Sequence, residues 1–332
     1  MRNRQRWTAD ALWPALLTAS LADLYLTSGD AAGVREQLLG RAAAFLLLAV
    51  VLRGCICMCA GALDGLIRWG MAAALALALA QYLYHGWVFY EYAVETEQPF
   101  LLFAVLGLLL AWYAASIRPR AVARTAPLLL ALTVLGLLLL TASLADQMDP
   151  LRLLENDDFE AEGFRKSFCA ALQPLPEMLL LAWLGEDADR RRRDVTCYFA
   201  GSFAVHGWLI LMQALVLGTL LPDRPLHRLS SLGELSVFTR LDGLFVMLWL
   251  LLFFMKCLLY GSCLSRILEE AIPNNRAVRL AVWLCIGGLA AVLYTGHGRS
   301  ILPAAAAVLL IGCAVLMLIK RGGERFAENR KN

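Results

Sequence analysis

Apolar residues in this chain run on without interruption, instead of recurring every second residue as in half-buried strands or every three to four residues as in surface helices. The runs cover about 11–27, 41–60, 69–90, 100–116, 126–145, 168–184, 197–221, 241–264, 277–295 and 301–319. Many approach the roughly 18–20 apolar residues that a helix needs to cross a hydrocarbon core. Inside a bilayer each segment must satisfy its own backbone hydrogen bonds, and a helix does so. No stretch between the runs is long enough for a separate soluble domain. The pattern predicts a single all-α integral membrane domain of about ten transmembrane helices, spanning the whole of residues 1–332.

Composition agrees: 60% of the 332 residues are hydrophobic and 17% are charged, against roughly 25% charged in an ordinary soluble domain. The net charge of +3 matters less than where the charges fall. Arg2, Arg4 and Arg6 precede the first span. Arg53 and Arg68, then Arg118, Arg120 and Arg124, then Arg190–Arg193, then Arg266, Arg276 and Arg279 fill alternate loops, and Lys320, Arg321, Arg325, Arg330 and Lys331 end the chain. Basic residues mark cytoplasmic loops, which places both chain ends, including the 320–332 tail, in the cytoplasm. The opposite loops are acidic: Glu91, Glu95 and Glu97 in one, and Asp146, Asp149, Glu155, Asp157, Asp158, Glu160 and Glu162 in another. Arg224, Arg228 and Arg240 go against the trend in the seventh loop. Tyr82, Tyr84, Trp87, Tyr90 and Tyr92 would form an aromatic belt at the outer interface.

These features exclude several classes. No basic surface outside the membrane flanks is large enough for nucleic acid. The nine cysteines lie mostly within or beside apolar runs, which suits small apolar side chains better than a disulfide framework. Cys55, Cys57 and Cys59 lack a histidine or carboxylate at ligand spacing. No nucleophile–base pair is identifiable. The pattern therefore implies no cofactor, no resident metal and no enzymatic activity.

Two spans differ from the plain Leu/Ala/Val runs. The first carries Pro14, Thr18, Ser20 and Asp23; the sixth carries Gln173, Pro174, Pro176 and Glu177. Proline removes a backbone donor and disturbs the preceding turn, and the groups it frees at membrane depth need a partner or a cavity. A midplane carboxylate such as Glu177 must be paired, protonated or wet. The two spans occupy matching places in two halves of five spans, about 8–145 and 164–319. An odd number of spans per half forces the halves into opposite orientation, the layout of inverted-repeat carriers with interrupted helices at the binding site. Against this stands the simpler reading that prolines only kink membrane helices. The eighth span runs from Asp242 with Lys256 near its middle. That ammonium either faces a cavity or a carboxylate, Glu177 first among them, or snorkels to the cytoplasmic interface. His206 and Gln213 share a face of the seventh span, where interhelical bonding is the simpler role. The Arg190–Arg193 run reads as a topology anchor, with anionic lipid as a second use.

The Arg240-Leu241-Asp242 opening of the eighth span, the following Leu-Phe-Val, Trp249 and Lys256 resemble the spore germination permease family. These are the B-type membrane subunits of nutrient germinant receptors, within the amino acid–polyamine–organocation superfamily. Gln98-Pro99-Phe100, the Arg118–Arg124 loop, Leu151–Leu154 and Pro176-Glu177 are similar as well. The resemblance implies a ten-helix, LeuT-like 5+5 inverted repeat with interrupted helices 1 and 6, in the inner membrane of a bacterial endospore. It implies a small nutrient ligand, usually an amino acid, and two protein partners, an A-type membrane subunit and a C-type lipoprotein. The expected ligand-binding set is Thr18, Ser20, Asp23, Gln173, Pro174, Pro176, Glu177 and Lys256. A proton-coupled amino acid transporter of the same fold is the alternative. Ala19, Ser20 and Ala22 stand where the family has an unwound glycine segment, which leaves a non-binding scaffold subunit as a third reading.

Overall fold

The computed structural model describes residues 12–26, 33–56, 65–94, 100–116, 119–154, 159–171, 177, 180, 188–218, 225–233, 241–271 and 276–294. Gln173, Pro174, Pro176, the tenth span and the 320–332 tail lie outside the described residues. Every regular element among the described residues is helical. In chain order they are α1 (Leu12–Leu21), α2 (Val34–Ile56), α3 (Gly65–Val94), α4 (Phe100–Ser116), α5 (Pro119–Ser143), α6 (Ala161–Ala170), α7 (Ala188–Met212), α8 (Pro225–Leu232), α9 (Asp242–Ala271) and α10 (Arg276–Tyr294). Short 3-10 turns follow α1 (Ala22–Tyr25) and α5 (Ala145–Gln147, Pro150–Leu154), and a π-helical turn, Gln213–Leu217, closes α7.

Among the described residues, four segments are long and apolar enough to cross a membrane: Trp69–Ala93, Arg124–Ser143, Arg192–Leu217 and Asp242–Glu269. Their outward faces are apolar. Leu128, Leu135 and Leu138 of α5, Leu106 and Leu109 of α4, and Met247 of α9 are all at least half exposed. In water such a continuous apolar surface is a liability, whereas against lipid it is the preferred face. The chain is accordingly compatible with an integral membrane protein.

The helices sort into two groups around α1. All of α1 except Trp13 is buried, as expected of a helix that is apolar on every side, and it packs on α5, α7 and α9. On one side α2 lies against α6 and α7; on the other α3 and α4 pack on α9 and α10. The α2–α6 approach is close because Gly40 has no side chain: a Cβ there would come within 2.9 Å of the Ser167 Cβ. At the start of α6, Glu36 of α2 accepts the backbone N–H of Glu160 (3.1 Å), an N-terminal donor that α6 itself cannot satisfy. Arg165 donates to both carboxylate oxygens of Glu162 (2.9 and 2.7 Å) and holds that carboxyl below its ordinary range.

Local departures from the sequence expectation have simple causes. Pro14 falls in the first described turn of α1, a position where proline is tolerated. The change of geometry comes later, at Ala22–Tyr25, beside Asp23. Arg190–Arg193 are not in a loop but in the first turns of α7, and Glu269-Glu270 continue α9. Charged residues are good helix formers, so a helix outlasts its apolar run. Tyr82, Tyr84 and Trp87 are buried instead of belonging to an interfacial belt, since α3 runs for 30 residues and its middle is core.

The π-turn ends at Gly218, whose φ of +62° lies in the region that favours glycine. Its terminal carbonyls are met from the segment that follows α5: Asp149 N–H donates to the Leu215 carbonyl (3.0 Å), and the Arg152 guanidinium donates to that of Val216. Arg152→Ala should leave the Val216 carbonyl unpaired at about 1–2 kcal/mol. Faster amide hydrogen exchange in 213–218, with α9 unchanged, is the expected readout.

Candidate functional site

Lys256 sits in the fifteenth position of the 30-residue α9, about 21 Å along the axis from Asp242. Its side chain is 5% exposed. A dry ammonium needs compensating charge, and two carboxylates supply it. Nζ donates to Asp23 at 2.8 Å (Oδ1) and 2.6 Å (Oδ2) and lies 2.8 Å from Glu177 Oε1. The same Glu177 oxygen accepts the Tyr260 hydroxyl at 2.6 Å. Tyr260 is one turn beyond Lys256, so the two side chains leave α9 on one face. The Tyr82 ring stands 4.6 Å and the Tyr260 ring 5.3 Å from Nζ, within cation–π range.

Three parts of the fold hold the charges. Asp23 comes from the 3-10 turn where α1 ends. Glu177 belongs to the sixth span and is fully buried. Lys256 projects from α9, the central helix of its group. Burial is uneven: the Asp23 side chain is 23% exposed and that of Glu177 0%. Glu177 Oε2 and the Tyr82 hydroxyl are buried with no hydrogen-bond partner. The Tyr198 hydroxyl comes near Ser20 but makes no bond of ordinary geometry.

The remaining expected residues are placed differently. Thr18 donates to the Pro14 carbonyl (2.6 Å) and is 3.2 Å from that of Ala126 in α5. Its hydroxyl has one hydrogen, which this bifurcated bond uses. Ser20 donates back to the Leu17 carbonyl (2.8 Å). Both hydroxyls thus serve the helix and its packing. In α7, His206 Nδ1 lies 2.8 Å from the Ser202 carbonyl, and the ring sits edge-on to Phe45 at 6.3 Å. Gln213 is buried and opens the π-turn.

Sequence reasoning named Glu177 as the first candidate partner of Lys256, a pairing present here at 2.8 Å, and brought Asp23 forward separately. Tyr82 and Tyr260 it did not single out. Tyr260 carried a signal, its spacing of four from Lys256. Tyr82 carried a misleading one, its neighbourhood of other aromatics. Chemically the cluster is a desolvated ammonium shared by two carboxylates, lined by aromatic faces and partly exposed at Asp23. No family model matches this chain, and no curated protein matches its sequence.

Proposed function

We propose that this chain is a membrane subunit of a spore nutrient germinant receptor that binds a small nutrient, such as an amino acid, at the Asp23–Glu177–Lys256 cluster. The observation that carries the reading is the buried Lys256 ammonium held between carboxylates from two distant spans, at the point where α1 leaves α-geometry. A ligand ammonium would be received by Asp23 or Glu177, and Lys256 would change partner. Because α9 also packs on α3, α4 and α5, moving Lys256 shifts a helix that touches much of the protein. Such coupling requires that the ligand bind the two arrangements with different affinity. The A-type subunit and the C-type lipoprotein of the spore inner membrane are the partners that would read the movement.

The helix contacts support the inverted-repeat architecture behind this reading. Adding five to each span number exchanges the two halves. With α7, α9 and α10 on the seventh, eighth and ninth runs, that operation turns the contact of α3 with α10 into that of α4 with α9, and both occur. The pairs α2–α7, α3–α9 and α4–α10 map onto themselves and also occur. The contacts of α1 with α9 and of α3 with α4 have no counterpart of comparable extent among the described residues.

Replacing Glu177 by Gln keeps its shape and its bond from Tyr260 but removes the charge. The expected result is loss of the nutrient response with membrane insertion intact, read as germination of spores carrying E177Q across single nutrients. An unchanged dose–response removes Glu177 from the mechanism. The second reading, a proton-coupled amino acid transporter, draws on the continuous chain Tyr260–Glu177–Lys256–Asp23, which has the groups to hold and pass a proton. Concentrative uptake of labelled amino acids by proteoliposomes holding this chain alone favours transport; binding without uptake favours the sensor.

A further inference from the structure

We infer that Lys256 is a tethered occupant of an ammonium site, a built-in competitor that an incoming primary amine must displace. The inference rests on the solute-binding reading above and adds what the resting site already holds.

A primary ammonium has three N–H donors and attracts aromatic faces. Around Nζ stand Asp23 Oδ1 and Oδ2 at 2.8 and 2.6 Å, Glu177 Oε1 at 2.8 Å, and the rings of Tyr82 and Tyr260 at 4.6 and 5.3 Å. That set offers the acceptors and aromatic faces that the ammonium of a small R–NH3+ requires. It is also larger than a structural lysine needs. One carboxylate would neutralise Lys256; two leave the cluster with a net negative charge. Glu177 Oε2 is then left buried and without a hydrogen-bond partner, a costly state for a carboxylate oxygen unless a further cation or donor visits it. The Tyr82 hydroxyl, on a ring whose face stands 4.6 Å from the same ammonium, is a second buried polar group without a partner. The site thus holds more acceptors than its occupant satisfies.

Access is graded in the order that displacement requires. Asp23, 23% exposed, is the half-buried edge of the cluster, and Glu177, at 0%, is its closed floor. An amine entering at Asp23 takes Oδ1 and Oδ2 first, which frees Lys256 to swing fully onto Glu177 or to withdraw along its flexible stem. A tethered ammonium competes at a high effective concentration. The apparent affinity for a free amine is reduced by the fraction of time that Lys256 leaves the site. Low affinity is therefore a built-in property of the parent protein, and occupancy is coupled to α9 by the release itself.

The test uses the full-length chain in lipid nanodiscs, with ethylammonium chloride as the probe and potassium chloride at matched ionic strength as the control. Thermal unfolding midpoints are followed for the parent, Lys256→Met and the double variant Lys256→Met/Glu177→Gln. The double variant keeps the parent's net charge in the cluster and retains the accessible Asp23, so it reports even where the single variant fails to fold. Ethylammonium should stabilise the variants at concentrations lower by about tenfold or more than the parent requires, with potassium inert. No gain in amine affinity in any variant that folds, or an equal response to potassium, overturns the inference. A parent that responds to an amino acid while the variants gain nothing leaves the proposed function standing and removes only the tethered competitor. Variants that gain amine affinity while the parent answers no amino acid in a full panel do the reverse.

Discussion

Lys256→Met should lower the stability of the folded chain by about 3–5 kcal/mol, the scale on which removing one partner of a buried ion pair acts, and Lys256→Met/Glu177→Gln should return most of that loss. Methionine is close to the lysine stem in volume, so the cavity contribution is small. What disappears is the countercharge. Glu177, with no exposed side-chain surface, then faces Asp23 with only the Tyr260 hydroxyl to compensate it. Neutralising Glu177 in the same molecule removes the stranded charge, keeps the Tyr260 bond and leaves the one carboxylate that has some exposure. The two substitutions are in contact, so their effects should be strongly non-additive. Denaturant unfolding of the parent, both single variants and the double variant closes the cycle. A loss below about 1 kcal/mol for Lys256→Met would mean that its ammonium is well hydrated, the range of exposed pairs. The exposed pairs of Glu162 with Arg165 and Lys166 are the internal control, and breaking them should change little.

The long apolar helices were legible because they rest on composition over long windows, and a few residues of error at either end do not alter them. The fourth run, 100–116, coincides with α4 (Phe100–Ser116), while the eighth, 241–264, stops seven residues short of the end of α9 at Ala271. Apolarity reports what the bilayer requires, and helix propensity reports where the backbone stops; Glu269 and Glu270 satisfy only the second. The same distinction explains Tyr82. A run drawn as 69–90 puts Tyr82 toward its outer end, whereas α3 from Gly65 to Val94 puts it well inside. At the site, the high cost of charge at membrane depth singled out Glu177 and Lys256 without any structure. That Asp23 also meets the Lys256 ammonium was not legible, because the two are 233 residues apart and no local pattern records a contact of that range. Thr18 and Ser20 show the converse. A hydroxyl in a membrane helix reads as a ligand group, yet each returns its hydrogen to a carbonyl of its own helix, a local alternative that sequence alone does not rank.

The closest packing that supports the site lies one layer behind it, and Gly86→Val should destabilise the chain by about 3 kcal/mol, at the upper end of what overpacking a core does. A Cβ built on Gly86 would stand 2.3 Å from Phe253 Cε2 and 2.9 Å from its Cδ2, far inside contact distance, so the ring or the helix must move. A free ring would rotate away at little cost. Phe253 is not free: it stacks on Tyr82 (4.9 Å between centroids) and is flanked by Phe103 (5.1 Å) and Trp249 (5.3 Å). Valine adds two methyls and a stiff χ1 to the clash, and its β-branched side chain brings little of the helix propensity that would offset removal of a glycine. Tyr82 transmits the displacement, because its ring is stacked on Phe253 and also faces the Lys256 ammonium at 4.6 Å. Gly86→Val should therefore lower the unfolding midpoint and also weaken ligand-induced stabilisation, although residue 86 touches no charge in the cluster. Gly207→Val provides the comparison, since a Cβ there meets only Leu38 Cδ2 at an ordinary 3.7 Å. A Gly86→Val chain that unfolds at the parent's midpoint would show that α3 and α9 can separate without loss, and the aromatic stack would then have no part in holding Tyr82 over Lys256.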